Sequence, residues 1–239
     1  MKIIKDEFNS EIFCMKMGNI CELSNNILLE EVHQKLLKAK EESYQHLSVK
    51  VPTDMKKTTN IFLESGFYLV DTQLMYRLNT KTFREYSNKL ISYRQYQDND
   101  KKTIVAIAKN AYKLDQYHSD TALNNDLCDM YYAKWIQNCC NGLADKVMVA
   151  TDNNDLVEGY ITFDFIDNKA VVGLAAVDKR YRGHGVFTYL IGSTLKMLRD
   201  LNIDYLYYGT QLNNKPVLRT MGHFCGAVEY SNYVMHLKL

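Results

Sequence analysis

Residues 180–185 read Arg-Tyr-Arg-Gly-His-Gly and stand between the apolar run AVVGLAAV and a helical stripe of Phe187, Leu190, Ile191, Leu195 and Leu198. Two glycines thus fall where a strand hands over to a fresh helix. A helix N-terminus leaves backbone N–H groups unbonded and carries the positive end of the helix dipole. Gly183 and Gly185 permit a tight turn and close backbone approach, and Arg180 and Arg182 add charge at the rim. The chemistry suited to this order is phosphate or pyrophosphate binding. The motif departs from a dinucleotide fingerprint, because Thr188 stands where the third glycine belongs, and no Gly-Lys-Ser/Thr P-loop is present. His184, between the glycines, reads as a loop residue.

A second group able to move protons is His118 with Asp120, between two helical patterns. Asp120 reads equally well as the cap of the following helix, with Thr121 in its first turn. No His, Cys, Asp and Glu cluster has metal-ligand spacing, so no metal is predicted. The six cysteines include no CxxC pair, and Cys139 and Cys140 are adjacent, which favours reduced thiols over a disulfide framework. The formal net charge is +1, leaving no basic surplus to draw a nucleic acid or an anionic membrane. With no apolar leader and no long uncharged apolar stretch, a soluble, cytoplasmic protein is expected. Eighteen tyrosines against nine phenylalanines fit half-buried surface, or a pocket wanting flat faces with a hydroxyl attached.

The elements that must hold these residues follow from periodicity. Ile27, Leu28, Val32, Leu36 and Leu37 mark a helix over 26–41; a second helix over 55–64 is closed by Gly66. FYLVDTQLMYRL (67–78) alternates as a strand, and 79–88 is a polar connection. Then come a strand at ISYRQYQ, helices over 103–114 and 121–140, and strands at KVMVAT, VEGYITFDF and AVVGLAAV, with Asp167-Asn168 as a hairpin turn. Trp135 recurs every fourth residue with Leu123, Leu127 and Tyr131, which makes it a core residue. DYLYYGTQ, the short helix LRTM and the tail VEYSNYVMHL complete the chain. Residues 60–78 and 217–237 share an apolar helix end, a glycine with an aromatic, and a long Tyr/Met/Leu strand, a weak internal repeat.

Arg180, Gly183 and Gly185 fit the Gln/Arg-x-x-Gly-x-Gly/Ala pyrophosphate loop, and over residues 90–239 the element order resembles that of the CoA-dependent N-acetyltransferase (GNAT) superfamily. FNSEIFCMKMGNI (8–20), YHSDTALNNDLCDMYYAKWIQN (117–138) and TQLNN (210–214) resemble one branch of it, the bacterial N-acyltransferases of dTDP-linked amino sugars such as fucosamine. The resemblance implies an α/β (α+β) fold: a mixed, mostly antiparallel sheet flanked by helices. It implies a truncated GNAT-like domain over 1–86 and the acyltransferase domain over 87–239.

It also implies roles. The backbone of Ala175, Ala176 and Val177 would hold the pantetheine arm of acyl-CoA. The N–H groups of Arg182, Gly183, His184, Gly185, Val186 and Phe187 would take the pyrophosphate, and Asn214 would bond the arm. Tyr117, His118, Asp120 and Gln211 would touch the acceptor. Relatives carry a tyrosine on the short helix that protonates the departing thiolate. Met221 occupies that position, and a thioether has no proton to give. Tyr208, His223 and His118 are the replacement candidates. The expected reaction moves an acetyl or short acyl group, 3-hydroxybutanoyl for example, from CoA to the amine of a dTDP-amino-dideoxyhexose. dTDP-3-amino-3,6-dideoxy-D-galactose is favoured, for a surface polysaccharide such as an O-antigen. The alternatives are another amine (a peptide N-terminus, polyamine or antibiotic) and a non-catalytic acyl-CoA sensor. A homodimer is left open.

Overall fold

The computed structural model describes residues 1–239. Seventeen regular elements follow one another: β1 (Lys2–Lys5), α1 (Glu7–Phe13), β2 (Met17–Cys21), α2 (Leu29–Glu41), β3 (His46–Pro52), α3 (Lys56–Glu64), β4 (Tyr68–Asn79), β5 (Ser92–Gln95), α4 (Lys101–Ala111), α5 (Asn125–Asn138), β6 (Lys146–Thr151), β7 (Val157–Ile166), β8 (Lys169–Val177), α6 (Val186–Asp200), β9 (Tyr205–Gln211), α7 (Lys215–His223) and β10 (Ala227–Lys238). All ten strands join one sheet in the order β1-β2-β3-β10-β4-β9-β8-β7-β6-β5. Only β2–β3 and β8–β9 are parallel. The fold expectation therefore holds, with β1, α1, β2 and β3 added where periodicity is too short to announce them. The expected 86/87 division falls within the connection between β4 and β5.

Apolar alternation decides which face each strand buries. Leu47, Val49 and Val51 of β3 pack with Val32, Leu36 and Phe62 of α2 and α3. On the same face, Leu206 and Tyr208 of β9 pack with Leu190, Ile191, Leu195 and Leu198 of α6. Each fully buried aliphatic side chain of this kind contributes about 1.5–3 kcal/mol. The opposite face carries α4 and α5, with Ile104, Ile107, Tyr131 and Ile136 against Val147, Val149, Tyr160 and Leu174. Trp135 packs against the edge of that core, as its spacing predicted.

The internal repeat is real in three dimensions. Helix α3 ends with Gly66 at φ +93° and a Phe67 N–H bonded to Phe62 O; α7 ends with Cys225 at φ +55° and a Gly226 N–H bonded to Met221 O. Each helix feeds a long strand, and the two strands pair antiparallel, Asn232 opposite Gln73 and His236 opposite Tyr68. They also cross over: β4 pairs with β9 of the C-terminal half, and β10 pairs with β3 of the N-terminal half.

Candidate active site

Strands β8 and β9 pair for only three residues, Lys169–Val171 with Tyr205–Tyr207. Beyond these the two strands part, and the edge of residues 172–177 facing β9 has no strand partner. A bulge in the β7–β8 ladder, between Ile161–Ala175 and Phe163–Val172, starts this separation. There the Leu174 N–H turns to the Thr162 hydroxyl at 2.9 Å. Bulges bend a strand and increase its twist, which here opens a notch in the middle of the sheet.

At the end of β8 the glycine loop meets α6. Gly183 and Gly185 sit at φ +85° and +81°, the left-handed region where other residues are strained. Gly185 is the N-cap, and the first N–H bonded in helical fashion is that of Tyr189, to Gly185 O. The N–H groups of Val186, Phe187 and Thr188 are unbonded, and no acid lies in the first turn. Arg182 reaches Val177 O and Ala111 O at 3.3 and 3.4 Å, tying the loop to α4. Arg180 pairs instead with Asp178 at 2.7 Å, and His184 is exposed. The notch and the free N–H groups are contiguous and fit the arm and pyrophosphate of a CoA thioester.

Tyr208 is the buried tyrosine at the notch. It lies past the last β8–β9 pair, with Phe187 edge-on at 5.8 Å. Burial pushes its hydroxyl above the usual range, so it stays protonated. An anion on Tyr208 would raise both Tyr112 and Tyr160, whose hydroxyls are 3.1 Å apart. Met221 is fully buried among the α6–α7 core residues. His223, in the last turn of α7, lies between Tyr86 and Phe224 at 5.9 and 4.9 Å, and the Tyr86 hydroxyl in turn lies against Gly185. Asn214 caps α7, its N–H bonded to Gln211 O, so both flank the mouth.

The loop 112–124 is held by buried charges. His118 bonds Asp115 at 2.5 Å and Asp129 at 3.0 Å, so both ring nitrogens are taken. The Tyr117 hydroxyl accepts from Asn9 at 2.9 Å. The expected cap of α5 needs correction. The N-cap is Asn124, which accepts from the Asp126 and Leu127 N–H groups, because Asp120 faces inward. Its Oδ2 meets His46 Nε2 at 2.9 Å and His236 Nδ1 at 2.7 Å. Its Oδ1 accepts the Tyr68 hydroxyl at 2.8 Å and the Ala122 N–H at 2.9 Å. Burial alone would raise this carboxyl, but bonds from His236, His46, Ala122 and Tyr68 outweigh it and hold it well below the carboxylate range. Burial pushes His236 below its ordinary value. His46, Asp120 and His236 are also metal-ligand types, with ligand atoms within 4.8 Å of one another. Their 2.7 and 2.9 Å separations are those of direct hydrogen bonds, shorter than the ~3.3 Å between ligands at zinc's ~2.0 Å bond lengths. Positions 46, 120 and 236 are too far apart for spacing to reveal them.

Sequence reasoning also passed over Asp71. It is the one acidic residue within the strand FYLVDTQLMYRL, and β4 outruns β9 there. The last β4–β9 pair is Gln73–Gln211, followed by a Leu212 N–H to Thr72 O bond of 2.8 Å. Beyond it, Leu69, Val70, Asp71 and Thr72 with Leu212 and Asn213 line a cavity of about 290 Å³. Burial pushes the Asp71 carboxyl up to about 7; Asp115 adds to this, while the Thr72 N–H and Lys50 oppose it.

Comparison with known proteins agrees with this geometry. The acetyltransferase (GNAT) family model matches residues 108–227. The spore coat polysaccharide biosynthesis protein SpsD of Bacillus subtilis is 24% identical over 138 residues, 58% of this chain and 47% of that protein. The chain thus aligns with about half of that relative's length. A GCN5-related N-acetyltransferase from Sphaerobacter thermophilus superposes with a TM-score of 0.69 at 9% identity, over 99% of this chain and 75% of the other. A tandem GNAT protein from the clavulanic acid biosynthesis pathway gives 0.62 at 11% identity, over 93% and 75%. No helix is long and apolar enough to cross a membrane.

Proposed function

The chain belongs to the GNAT acetyltransferase family, a family of CoA-dependent N-acyltransferases, and we propose that its acceptor is the amino group of a dTDP-linked amino-dideoxyhexose. The observation that carries the cofactor side is the notch between β8 and β9 leading to the unbonded N–H groups of α6. Acyl-CoA supplies the acyl group as a thioester. Ala175–Val177 offer an unpaired strand edge to its arm, residues 182–187 take the pyrophosphate, and Asn214 bonds the arm. The acceptor side is supported by similarity to SpsD, whose name places it in polysaccharide synthesis, and by the resemblance of 8–20, 117–138 and 210–214 to amino-sugar acyltransferases. A surface polysaccharide is the destination that fits, with dTDP-3-amino-3,6-dideoxy-D-galactose the favoured acceptor.

With Met221 unable to donate, Tyr208 is the group that protonates the departing thiolate, since it is buried, protonated and at the notch. His223 packs on Tyr86 and Phe224, and His118 has both nitrogens engaged. A second reading, an acyl-CoA sensor, is favoured by Met221 alone. Incubation with acetyl-CoA or 3-hydroxybutanoyl-CoA and a panel of dTDP-amino sugars, followed by product mass, separates the readings. Mass gain on one sugar with release of CoA thiol establishes the enzyme; tight acyl-CoA binding with no gain points to the sensor or to an amine outside the panel. In the enzyme case, Tyr208→Phe lowers kcat roughly 100-fold, the lower end for a general acid because a thiolate leaves readily.

A further inference from the structure

We infer that Asp71, delivered to the site by the N-terminal half on β4, is the base that takes the proton from the acceptor amine. The inference rests on the acyl-transfer reading above. Its geometric basis is the place and aim of the carboxylate. Strands β8 and β9 run parallel, so the notch opens at their C-terminal ends, near Val177 and Gln211. Strand β4 lies beside β9 and continues past Gln211, so Asp71 borders that mouth in the cavity shared with Leu212 and Asn213.

A β-bulge aims it. The β4–β10 ladder shifts register between Val234–Asp71 and Met235–Leu69, leaving Val70 as the extra residue. Without that shift Asp71 would share a face with Leu69 and turn away from Tyr68. With it, Asp71 and Tyr68 fall on one face, opposite Val234 and His236, and Tyr68 reaches the loop before α5 through Asp120. Bulges are enriched beside active sites because they redirect one side chain.

The surroundings suit a base near neutrality. From β3, Lys50 stands in the same row, on the far side of Val234. From the loop before α5, buried Asp115 contributes a negative charge, already shared with His118. From β10 the facing residue is apolar Val234, and from the turn after β9 come uncharged Leu212 and Asn213. The carboxylate's one bond within the chain is to the Thr72 N–H at 2.7 Å, through Oδ1. Burial with one weakly opposing cation leaves the group half-titrated at about pH 7, as a base for an ammonium requires.

The proton balance is simple. An acceptor R–NH3+ gives one proton to the Asp71 carboxylate and becomes R–NH2. Its lone pair forms the C–N bond to the thioester carbonyl and the C–S bond breaks. The amine nitrogen loses a second proton as the amide forms, which balances the proton taken by the thiolate. Asp71 returns its proton to water between turnovers.

The test compares the unaltered protein, Asp71→Asn and Asp71→Glu with acetyl-CoA and 3-hydroxybutanoyl-CoA as donors and dTDP-3-amino-3,6-dideoxy-D-galactose as acceptor. Expected for Asp71→Asn are a kcat/KM loss of roughly 100-fold or more, loss of the acidic limb of the pH–rate profile near pH 7, and an unchanged Kd for acyl-CoA. Asp71→Glu recovers part of the rate. A 13C NMR titration adds a readout independent of turnover: the resonance missing from Asp71→Asn moves with a midpoint near 7. Turnover by the unaltered protein with an unchanged Asp71→Asn profile, or an Asp71 midpoint near 4, overturns this inference alone. No turnover by the unaltered protein with either donor overturns the acyl-transfer reading for this acceptor and the inference with it.

Discussion

The two halves of the molecule contain the same device in two states. Strands β2 and β3 form a parallel pair with helix α2 between them in sequence, just as β8 and β9 do with α6. In the N-terminal half the pairing runs from Met17 with His46 to Ile20 with Val49, almost the whole of β2. Side chains of Tyr44, Ile3 and Leu47 crowd Gly18 so closely that a Cβ there would fall within 3.1 Å of each. At the start of α2, Glu31 accepts the Leu28 N–H at 3.1 Å, and Glu30 and Glu31 both stand in the first turn. The C-terminal half differs in its pairing and in its helix terminus: its pair separates after three residues, and no acid stands in the first turn of α6. Topology alone therefore does not open a notch beside a bare helix terminus. Unpairing and the absence of a self-supplied carboxylate do.

The largest expected effect comes from breaking what joins the halves. Asp120→Asn leaves two buried imidazoles and a hydroxyl facing an amide, and is expected to cost about 3–5 kcal/mol in urea unfolding. Next is Gly185→Val, which forces a branched residue into φ +81° and places its Cβ 2.3 Å from the Tyr86 hydroxyl. Strain and clash together should weaken acyl-CoA binding roughly 100-fold by calorimetry. Thr188→Glu copies the α2 terminus onto α6, with a carboxylate three residues after the cap. Acyl-CoA affinity then falls roughly 10- to 100-fold while the unfolding midpoint holds or rises slightly.

Acidification probes the clamp more gently. His236 is depressed in the folded state, so its stabilisation is complete above about pH 6.5 and is lost as pH falls from there through the lower folded value. Asp120 is also depressed, so its contribution persists to about pH 4 and is lost below. In an Asp71→Asn background, which removes a raised carboxyl whose contribution grows as pH falls below about 7, the urea unfolding free energy between pH 8 and 5 should fall with a slope of no more than about 1.4 kcal/mol per pH unit, and adding Asp120→Asn should change that slope. The smallest effect is that of Glu31→Gln: acyl-CoA affinity unchanged, and stability down by about 0.5 kcal/mol.

What the sequence made legible was local. The glycine loop, the hairpin at Asp167-Asn168, the α3–β4 and α7–β10 repeat and the core role of Trp135 all rest on neighbouring residues, and all have their expected place in the fold. The missing pieces were non-local. His46, Asp120 and His236 meet only because β3 and β10 pair and the loop before α5 folds over them. Asp71 reads in sequence as one polar position of an alternating strand; that Tyr68 shares its face depends on a bulge that appears only against β10. Asp120 was misread as a helix cap because an Asp before a helix carries the same signal whether it faces the helix or a buried imidazole.

The crossing of β4 and β10 has a consequence for synthesis. Strand β3 waits for its neighbour until the last strand of this sequence is made, and β4 waits for both of its partners, β9 and β10. At ~5–20 residues per second, on the order of ten seconds separates the emergence of β4 from that of β10. During that interval one edge of β3 and both edges of β4 are open, the kind of surface that templates aggregation. The final β10 strand thus closes two sheets in one step, and a stalled or truncated chain forfeits both halves rather than one.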